Sequence, residues 1–265
     1  MTPLRLGAVS YLNTKPLVYG LEALPEQFDV RFDVPATCAE LLHEDHVDLG
    51  LIPAIEYLRG AADYWIVPGV SIASAGQIAS VAVFSKVPIE QVTTMALDLS
   101  SRTSVALTRI LCAKRWGIAP AFTPAAPDLG TILAGVDAAL VIGDPALEID
   151  ADARGLLKVD LGAEWQALTG LPFVYAMWTG RAGVASPAQC RALHNARDLG
   201  VANLRTIASN VGGGDPVREA RTLVYLRDNL KYGLGEREAA GLRRFHELGV
   251  EIGVAAALKP LRFYQ

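Results

Sequence analysis

The chain has 265 residues and a formal net charge of -4, with 51% hydrophobic and 20% charged residues. This composition is typical of a globular protein and excludes a disordered one. No block of lysines or arginines is present, so we expect no nucleic-acid partner. No apolar run reaches membrane-spanning length and no signal-peptide pattern opens the sequence, so we expect a cytoplasmic protein that does not enter a membrane.

The first unit of the chain is a predicted strand, a turn and a helix. The apolar run Leu4–Val9 gives way to polar residues, and Pro16 follows where a helix would begin. Proline is tolerated in a first helical turn, because its missing N–H would have no partner there. The turn contains the polar residues Ser10, Asn13 and Thr14. It predicts either an ordinary helix cap or a small-molecule site at the free N–H groups of the helix.

Strands and helices alternate after this unit, which favours a mainly parallel α/β sheet. The predicted strands are 28–34, 48–52, 66–74, 78–85, 94–97, 138–142 and 172–179. Thr37 and Glu40 have the spacing of a capping box and predict a helix that ends near His46. The other predicted helices are 54–58, 102–116, 129–134, 187–210, 216–231 and 236–248. We interpret the glycines at 212–214 as a cap between two helices, since no strand precedes them as in a phosphate loop.

Two segments of the chain, 47–54 and 136–146, resemble each other. In each, Val-Asp precedes a buried strand, and a Pro-Ala pair opens the next helix. The similarity is too short to prove a duplication. It predicts two α/β lobes built on the same plan.

Histidines and cysteines point to neither a metal site nor a disulfide. Residues 43–46 (His-Glu-Asp-His) depart from the HExxH spacing and have no evident third ligand, which favours a solvated helix end. Cys38, Cys112 and Cys190 are far apart in apolar runs and predict buried free thiols.

A hydroxyl-rich segment lies between the strand at 94–97 and the helix at 102–116. It consists of Ser100, Ser101, Arg102, Thr103 and Ser104. Capping a helix needs one or two hydroxyls, so the surplus favours a carboxylate or phosphate bound at the helix N-terminus. If this entry faced the turn at 10–14 across a cleft, the two would suit a ligand with two carboxylates.

Six segments along the chain carry a family resemblance. They are 7–17 (GAVSYLNTKPL), 47–57 (VDLGLIPAIEY), 76–88 (GQIASVAVFSKVP), 97–112 (LDLSSRTSVALTRILC), 141–147 (VIGDPAL) and 171–178 (LPFVYAMW). In this order they resemble the chorismate dehydratases of the futalosine pathway of menaquinone biosynthesis. The resemblance is weaker in the helical tail.

The resemblance implies a fold similar to type II periplasmic binding proteins. In that fold two α/β lobes with mainly parallel central sheets and flanking helices are joined by two crossing strands, and the ligand lies between the lobes. The crossings would be 80–85 and 174–179. Lobe I would comprise residues 1–85 and 177–265 with the helical tail, and lobe II residues 86–176.

The implied reaction removes water from chorismate to give 3-[(1-carboxyvinyl)oxy]benzoate. The ring loses its C4 hydroxyl and its C3 proton, aromatisation drives the step, and no cofactor or metal is needed. Asn13 and Ser80 match the functional polar residues of the family, although Ser74 and Ser85 compete for the serine assignment. The expected substrate-binding residues are Ser10, Thr14, Gly76, Ser100, Ser101, Arg102, Thr103, Ser104 and Asp144.

Several alternatives stay open at this point. The proton acceptor is either the enolpyruvyl carboxylate of the substrate itself, or Asp98 or Asp144. The function could instead be that of a small-carboxylate binding protein, a regulatory effector-binding module, or the related enzyme of the same pathway that forms 1,4-dihydroxy-6-naphthoate. The sequence also leaves a homodimer open.

Overall fold

The computed structural model describes residues 2–125 and 133–265, which form two five-stranded sheets. The strands are β1 Leu4–Val9, β2 Phe28–Asp33, β3 Leu49–Pro53, β4 Tyr64–Ser74, β5 Val81–Ser85, β6 Thr94–Asp98, β7 Ala121–Ala125, β8 Ala138–Ile142, β9 Leu157–Asp160 and β10 Phe173–Arg181. The first sheet has the order β2-β1-β3-β10-β4 and the second the order β7-β6-β8-β5-β9.

The two sheets have the same plan. In the first sheet β1 pairs parallel with β2 and β3, while β10 runs antiparallel between β3 and β4. In the second sheet β6 pairs parallel with β7 and β8, while β5 runs antiparallel between β8 and β9. Strands β3 and β8 therefore occupy equivalent positions, which explains why segments 47–54 and 136–146 resemble each other.

The chain passes between the sheets at two links. It leaves the first sheet after β4 and enters the second at β5, and it returns between residues 169 and 173. Strand β10 pairs with the first sheet from Phe173 onward. The lobe boundary at 176/177 stays a prediction, and the pairing favours one a few residues earlier.

Helices flank both sheets and form the C-terminal tail. They are α1 Pro35–His43, α2 Glu56–Arg59, α3 Arg102–Leu111, α4 Asp144–Glu148, α5 Leu161–Thr169, α6 Pro187–Ala202, α7 Leu204–Gly212, α8 Pro216–Val224 and α9 Glu236–Glu251. None of the helices in residues 2–125 and 133–265 is long and apolar enough to cross a membrane.

The helix after β1 is a 3₁₀ helix, Leu12–Val18, rather than an α-helix. The Thr14 N–H donates to the Tyr11 carbonyl at 3.1 Å, the three-residue spacing that defines this tighter helix. Pro16 lies inside it, where its fixed φ fits and its missing N–H costs little.

Two helix predictions were wrong. Helix α1 begins at Pro35, with Val34 as its cap, so Thr37 lies inside the helix and forms no capping box. A proline at the first helical position already has a helical φ, and this favours the earlier start. The single helix expected over 187–210 is divided at Asn203 into α6 and α7.

Other predictions hold, and some elements were missed. Helix α3 continues through one π-helical turn, Cys112–Trp116, and Gly117 ends it with a φ of 67°, as expected. Strand β7 contains a proline, and β9 alternates over only four residues, so neither gives a strand signal that stands out from a loop. Most of the helix expected over 129–134 lies outside the described residues.

An aromatic cluster joins the second sheet's helix α5 to the first sheet and the tail. The Trp165 ring lies 5.1 Å from Phe173 of β10, and Phe173 lies 4.9 Å from Phe245 of α9 between ring centroids. These edge-to-face contacts are fully buried. The three cysteines are buried free thiols, as the sequence predicted.

Helix α6 packs against the 3₁₀ helix that follows β1. Gly200 of α6 lies against the backbone of Pro16, and a Cβ on Gly200 would overlap the Pro16 carbonyl. The missing side chain therefore allows the 3₁₀ helix to approach α6 closely.

We expect Gly200→Ala to lower the free energy of unfolding by about 1–3 kcal/mol, because the methyl group forces the two helices apart. Urea unfolding measures this change. Gly233→Ala is the matched control, since a Cβ there meets open space. A Gly200→Ala protein as stable as the wild type would contradict the close contact.

Candidate active site

A narrow cavity of about 40 Å³ lies between the two sheets. This volume is well below the roughly 300–1,000 Å³ that is usual for small-molecule sites, so the lobes must move apart to admit a ligand of that size. Its polar lining residues are Tyr11, Asn13, Ser80, Ser101, Ser104 and Tyr175. Its walls are otherwise mostly apolar, with Val9, Ile72, Ile78, Val81 and Ile142 among them. Both sheets contribute, as expected for a ligand site between two lobes.

The turn after β1 contacts the loop after β8. The Tyr11 ring packs on Gly143, where a Cβ would lie 3.1 Å from ring atoms, and Gly143 has a φ of 71°. Glycine fits this position on both counts, since φ is left-handed and a side chain would collide. The Leu12 N–H donates to the Asp144 carboxylate at 3.2 Å, and the Tyr11 hydroxyl lies 3.4 Å from Ser100 Oγ. Tyr11 was missed in the sequence, where a turn aromatic gives no signal of its own.

Asn13 lines the cavity at the start of the 3₁₀ helix. The Thr14 hydroxyl donates to Asn13 Oδ1 at 3.4 Å, which leaves the amide N–H groups of Asn13 to other partners. Thr14 and Ser10 line a separate open groove beside Lys15. The structure thus brings Asn13 into the cavity and does not bring Ser10 or Thr14 there.

Ser80 lies at the end of the link from β4 to β5. It is buried, and its Oγ accepts a hydrogen bond from the Tyr225 hydroxyl at 2.8 Å. Its carbonyl accepts from the Gly143 N–H at 2.8 Å. Ser74 and Ser85, the competing serines, bond to nearby backbone carbonyls and do not line the cavity. The geometry favours Ser80 among the three.

The carboxylate of Asp160 holds the link in place. It accepts the N–H groups of Ile78 at 3.1 Å and Ala79 at 2.7 Å, and also caps α5 through the Ala163 N–H at 3.0 Å. Ala79 has a φ of 66°, a left-handed conformation that is unfavourable for a residue with a side chain. The paired N–H bonds to Asp160 stabilise that conformation and orient the following residue, Ser80.

The residues of the hydroxyl-rich segment before α3 have two different roles: some line the cavity and others contact the other lobe. Ser101 caps α3 by accepting the Ser104 N–H at 3.4 Å, its Oγ lies 2.8 Å from Ser104 Oγ, and both side chains line the cavity. The Thr103 hydroxyl instead accepts a hydrogen bond at 3.2 Å from the N–H of Ile55, which belongs to the lobe of the first sheet. The Ser100 N–H donates to Asp98 at 2.9 Å. Only Ser101 and Ser104 of the five predicted residues line the cavity.

Arg102 bridges the lobes and does not line the cavity. Its guanidinium donates to Glu56 at 2.9 Å and also to Glu40 of α1. Glu56 is buried and accepts further bonds from Arg59 at 3.1 Å and His43 at 3.3 Å. Burial raises the pKa of Glu56, but the bonds from His43, Arg102 and Arg59 outweigh it, so the pKa lies below its ordinary value of 4.5.

Gly76 and Asp144 also lie outside the cavity lining. Gly76 has a φ of 113° and forms the turn after β4, where its carbonyl accepts the Ser74 hydroxyl at 3.0 Å. Burial raises the pKa of Asp144, while the bond from the Leu12 N–H opposes the rise. Asp98 is buried, and its Oδ2 has no hydrogen-bond partner among the described residues.

The described lining of the cavity contains no charged side chain. An anion there would be held by hydroxyl groups, the Asn13 amide and the N-terminus of α3. Within residues 2–125 and 133–265 no group of three or more His, Cys, Asp or Glu side chains could hold a metal ion. The site therefore offers hydrogen-bond donors rather than cations or metal ligands.

Sequence comparison assigns the chain to a family. A family described as menaquinone biosynthesis matches residues 4–251. The chain belongs to this family. It is also 32% identical over 263 residues to the chorismate dehydratase of Thermus thermophilus, across 93% of this chain and 95% of that protein. The resemblance that the six motifs indicated is confirmed.

Structure comparison confirms the predicted two-lobed α/β fold of this family member, although both sheets are mixed rather than mainly parallel, because β10 and β5 run antiparallel to their neighbours. The alkanesulfonate-binding protein SsuA from Xanthomonas axonopodis pv. citri superposes with a TM-score of 0.69 at 15% identity, covering 96% of this chain and 94% of that one. A Candida albicans gene product with the generic periplasmic binding protein fold gives a TM-score of 0.66 at 8% identity, covering 98% and 92%.

We expect Arg102→Gln to lower the free energy of unfolding at pH 7 by about 1–3 kcal/mol, because Glu56 loses one of three hydrogen-bond donors. The Glu56 pKa is depressed in the folded state, so its contribution is present above the unfolded pKa and is lost as pH falls through the folded value. The penalty should therefore shrink below about pH 4.5.

Urea unfolding of both proteins across this pH range measures the penalty. Arg109→Gln on the same helix is the control, since Arg109 lies over the Phe122 ring and contacts neither glutamate. A penalty that does not change with pH would show that Arg102 acts through packing rather than through Glu56.

Proposed function

We propose that this protein is a chorismate dehydratase, a lyase that converts chorismate to 3-[(1-carboxyvinyl)oxy]benzoate and water in menaquinone biosynthesis. The observation that carries the proposal is that Asn13 and Ser80, matched from separate motifs, line one cavity between the lobes. The named relative supports the choice of substrate. A cytoplasmic location, the absence of a cofactor and a homodimer stay predictions.

Holding the substrate needs donors for two carboxylates. Ser101 and Ser104 at the N-terminus of α3 offer one anion site, and Asn13 with the turn after β1 offers a second on the opposite side. In this arrangement Ser80 donates a hydrogen bond to the departing C4 hydroxyl. Positioning and hydrogen bonding of this kind suit a reaction that aromatisation drives.

We infer that the enolpyruvyl carboxylate of the substrate takes the C3 proton. Apolar walls and the lack of a lining cation favour the neutral form of a bound carboxylate and so make it a stronger base than in water. The rival bases Asp98 and Asp144 are absent from the lining, and each accepts a backbone N–H instead. This supports the substrate-assisted route.

A direct assay tests the function. Purified protein is mixed with chorismate without added metal, and the loss of diene absorbance and the mass of the product are followed. We expect turnover by the wild type, with kcat reduced about 10²–10³-fold in Asn13→Ala and Ser80→Ala. Unchanged chorismate with folded wild-type protein would contradict the enzyme assignment and favour a small-carboxylate binding protein, the class that the similarity in fold to the sulfonate-binding protein raises.

Asp98→Asn and Asp144→Asn test the identity of the base. Because neither carboxylate lines the cavity, we expect each variant to keep kcat within about threefold of the wild type. A chorismate analogue without the side-chain carboxylate should bind and not react. Normal turnover of that analogue, or loss of turnover in one aspartate variant, would refute the substrate-assisted route.

A further inference from the structure

We propose that Tyr225, in the C-terminal tail, is a positioning residue that orients the Ser80 hydroxyl so that it donates into the cavity. The proposal rests on the dehydratase function proposed above. Nothing in the sequence motifs of the cavity identified this tyrosine. It follows from one buried hydrogen bond between segments 145 residues apart, in which the Tyr225 hydroxyl donates to Ser80 Oγ at 2.8 Å.

The direction of this bond determines what Ser80 can do. A serine hydroxyl has one proton and two lone pairs, so accepting from Tyr225 leaves its proton free to be donated elsewhere. Within residues 2–125 and 133–265 the bond from Tyr225 is the one hydrogen bond that the Ser80 hydroxyl makes. Ser80 lines the cavity, so its unused donor is available to a ligand oxygen there.

Asn13 lines the same cavity as Ser80, and its Oδ1 accepts the Thr14 hydroxyl at 3.4 Å. Its amide N–H groups stay available as donors to a ligand. The order of donation is Tyr225 to Ser80, and from Ser80 to the substrate.

The surroundings keep Tyr225 a donor. It is buried, and burial raises the pKa of its hydroxyl well above the ordinary value despite the opposing bond to Ser80. It begins the π-helical turn Tyr225–Asn229 that follows α8, a local widening of the helix often found at functional sites. Tyr225 does not line the cavity, so its effect on a ligand passes through Ser80.

The test compares Tyr225→Phe with Tyr232→Phe. Tyr232 is also buried in the tail, and its hydroxyl has no hydrogen-bond partner among the described residues, so it is a matched control. We expect Tyr225→Phe to lower kcat on chorismate about 10- to 100-fold with KM changed less than about threefold, because transition-state hydrogen bonding is lost while the cavity keeps its shape. Tyr232→Phe should stay within about twofold of the wild type.

A double-mutant cycle separates positioning from packing. If Tyr225 acts through Ser80, adding Tyr225→Phe to Ser80→Ala should cost less than about twofold further in kcat. Additive losses, or a Tyr225→Phe enzyme as active as the wild type, would overturn the proposal while the dehydratase function stood. Absence of turnover in the wild type would overturn that function and this inference together. Circular dichroism and thermal unfolding check that each variant is folded.

Discussion

The cavity depends on how the carboxylate of Asp160 holds the link between the sheets. The N–H groups of Ile78 and Ala79 both donate to it, and this pairing stabilises a left-handed alanine directly before Ser80. The same carboxylate caps α5, whose Trp165 packs on the return strand β10. One carboxylate thus ties both crossings of the chain to the position of a single serine.

A charged substrate and a neutral site are compatible in this geometry. A lining arginine or lysine would bind a dianion more tightly, but it would also lower the basicity of the substrate carboxylate. Hydroxyls, an amide and a helix N-terminus hold an anion without that cost to its reactivity. Arg102, the cation in the hydroxyl-rich segment 100–104, instead donates hydrogen bonds to Glu40 and Glu56.

The sequence could predict features that depend on short segments. The strands Leu4–Val9 and Ala138–Ile142 were predicted with the observed bounds, because their residues are apolar and buried except for the exposed Arg5. Asn13 and Ser80 were found through motifs. The roles of Tyr11, Tyr225 and Arg102 depend on partners 89, 145 and 46 residues away, and no local pattern encodes such distances. The segment 100–104 does contain more hydroxyls than a helix cap needs, but one of them, on Thr103, contacts the other lobe rather than the cavity.

The entry to α3 couples ligand binding to lobe contact. Successive helical residues point about 100° apart, so neighbours in one turn face different surroundings. Ser101 and Ser104 face the cavity, while Arg102 and Thr103 between them bond to Glu56 and the Ile55 N–H of the other lobe. The two serines are fixed relative to each other by their own helix start, and the residues between them fix that helix start against the other lobe. A shift of α3 relative to the other lobe would therefore move both serines with respect to the cavity wall that the other lobe provides.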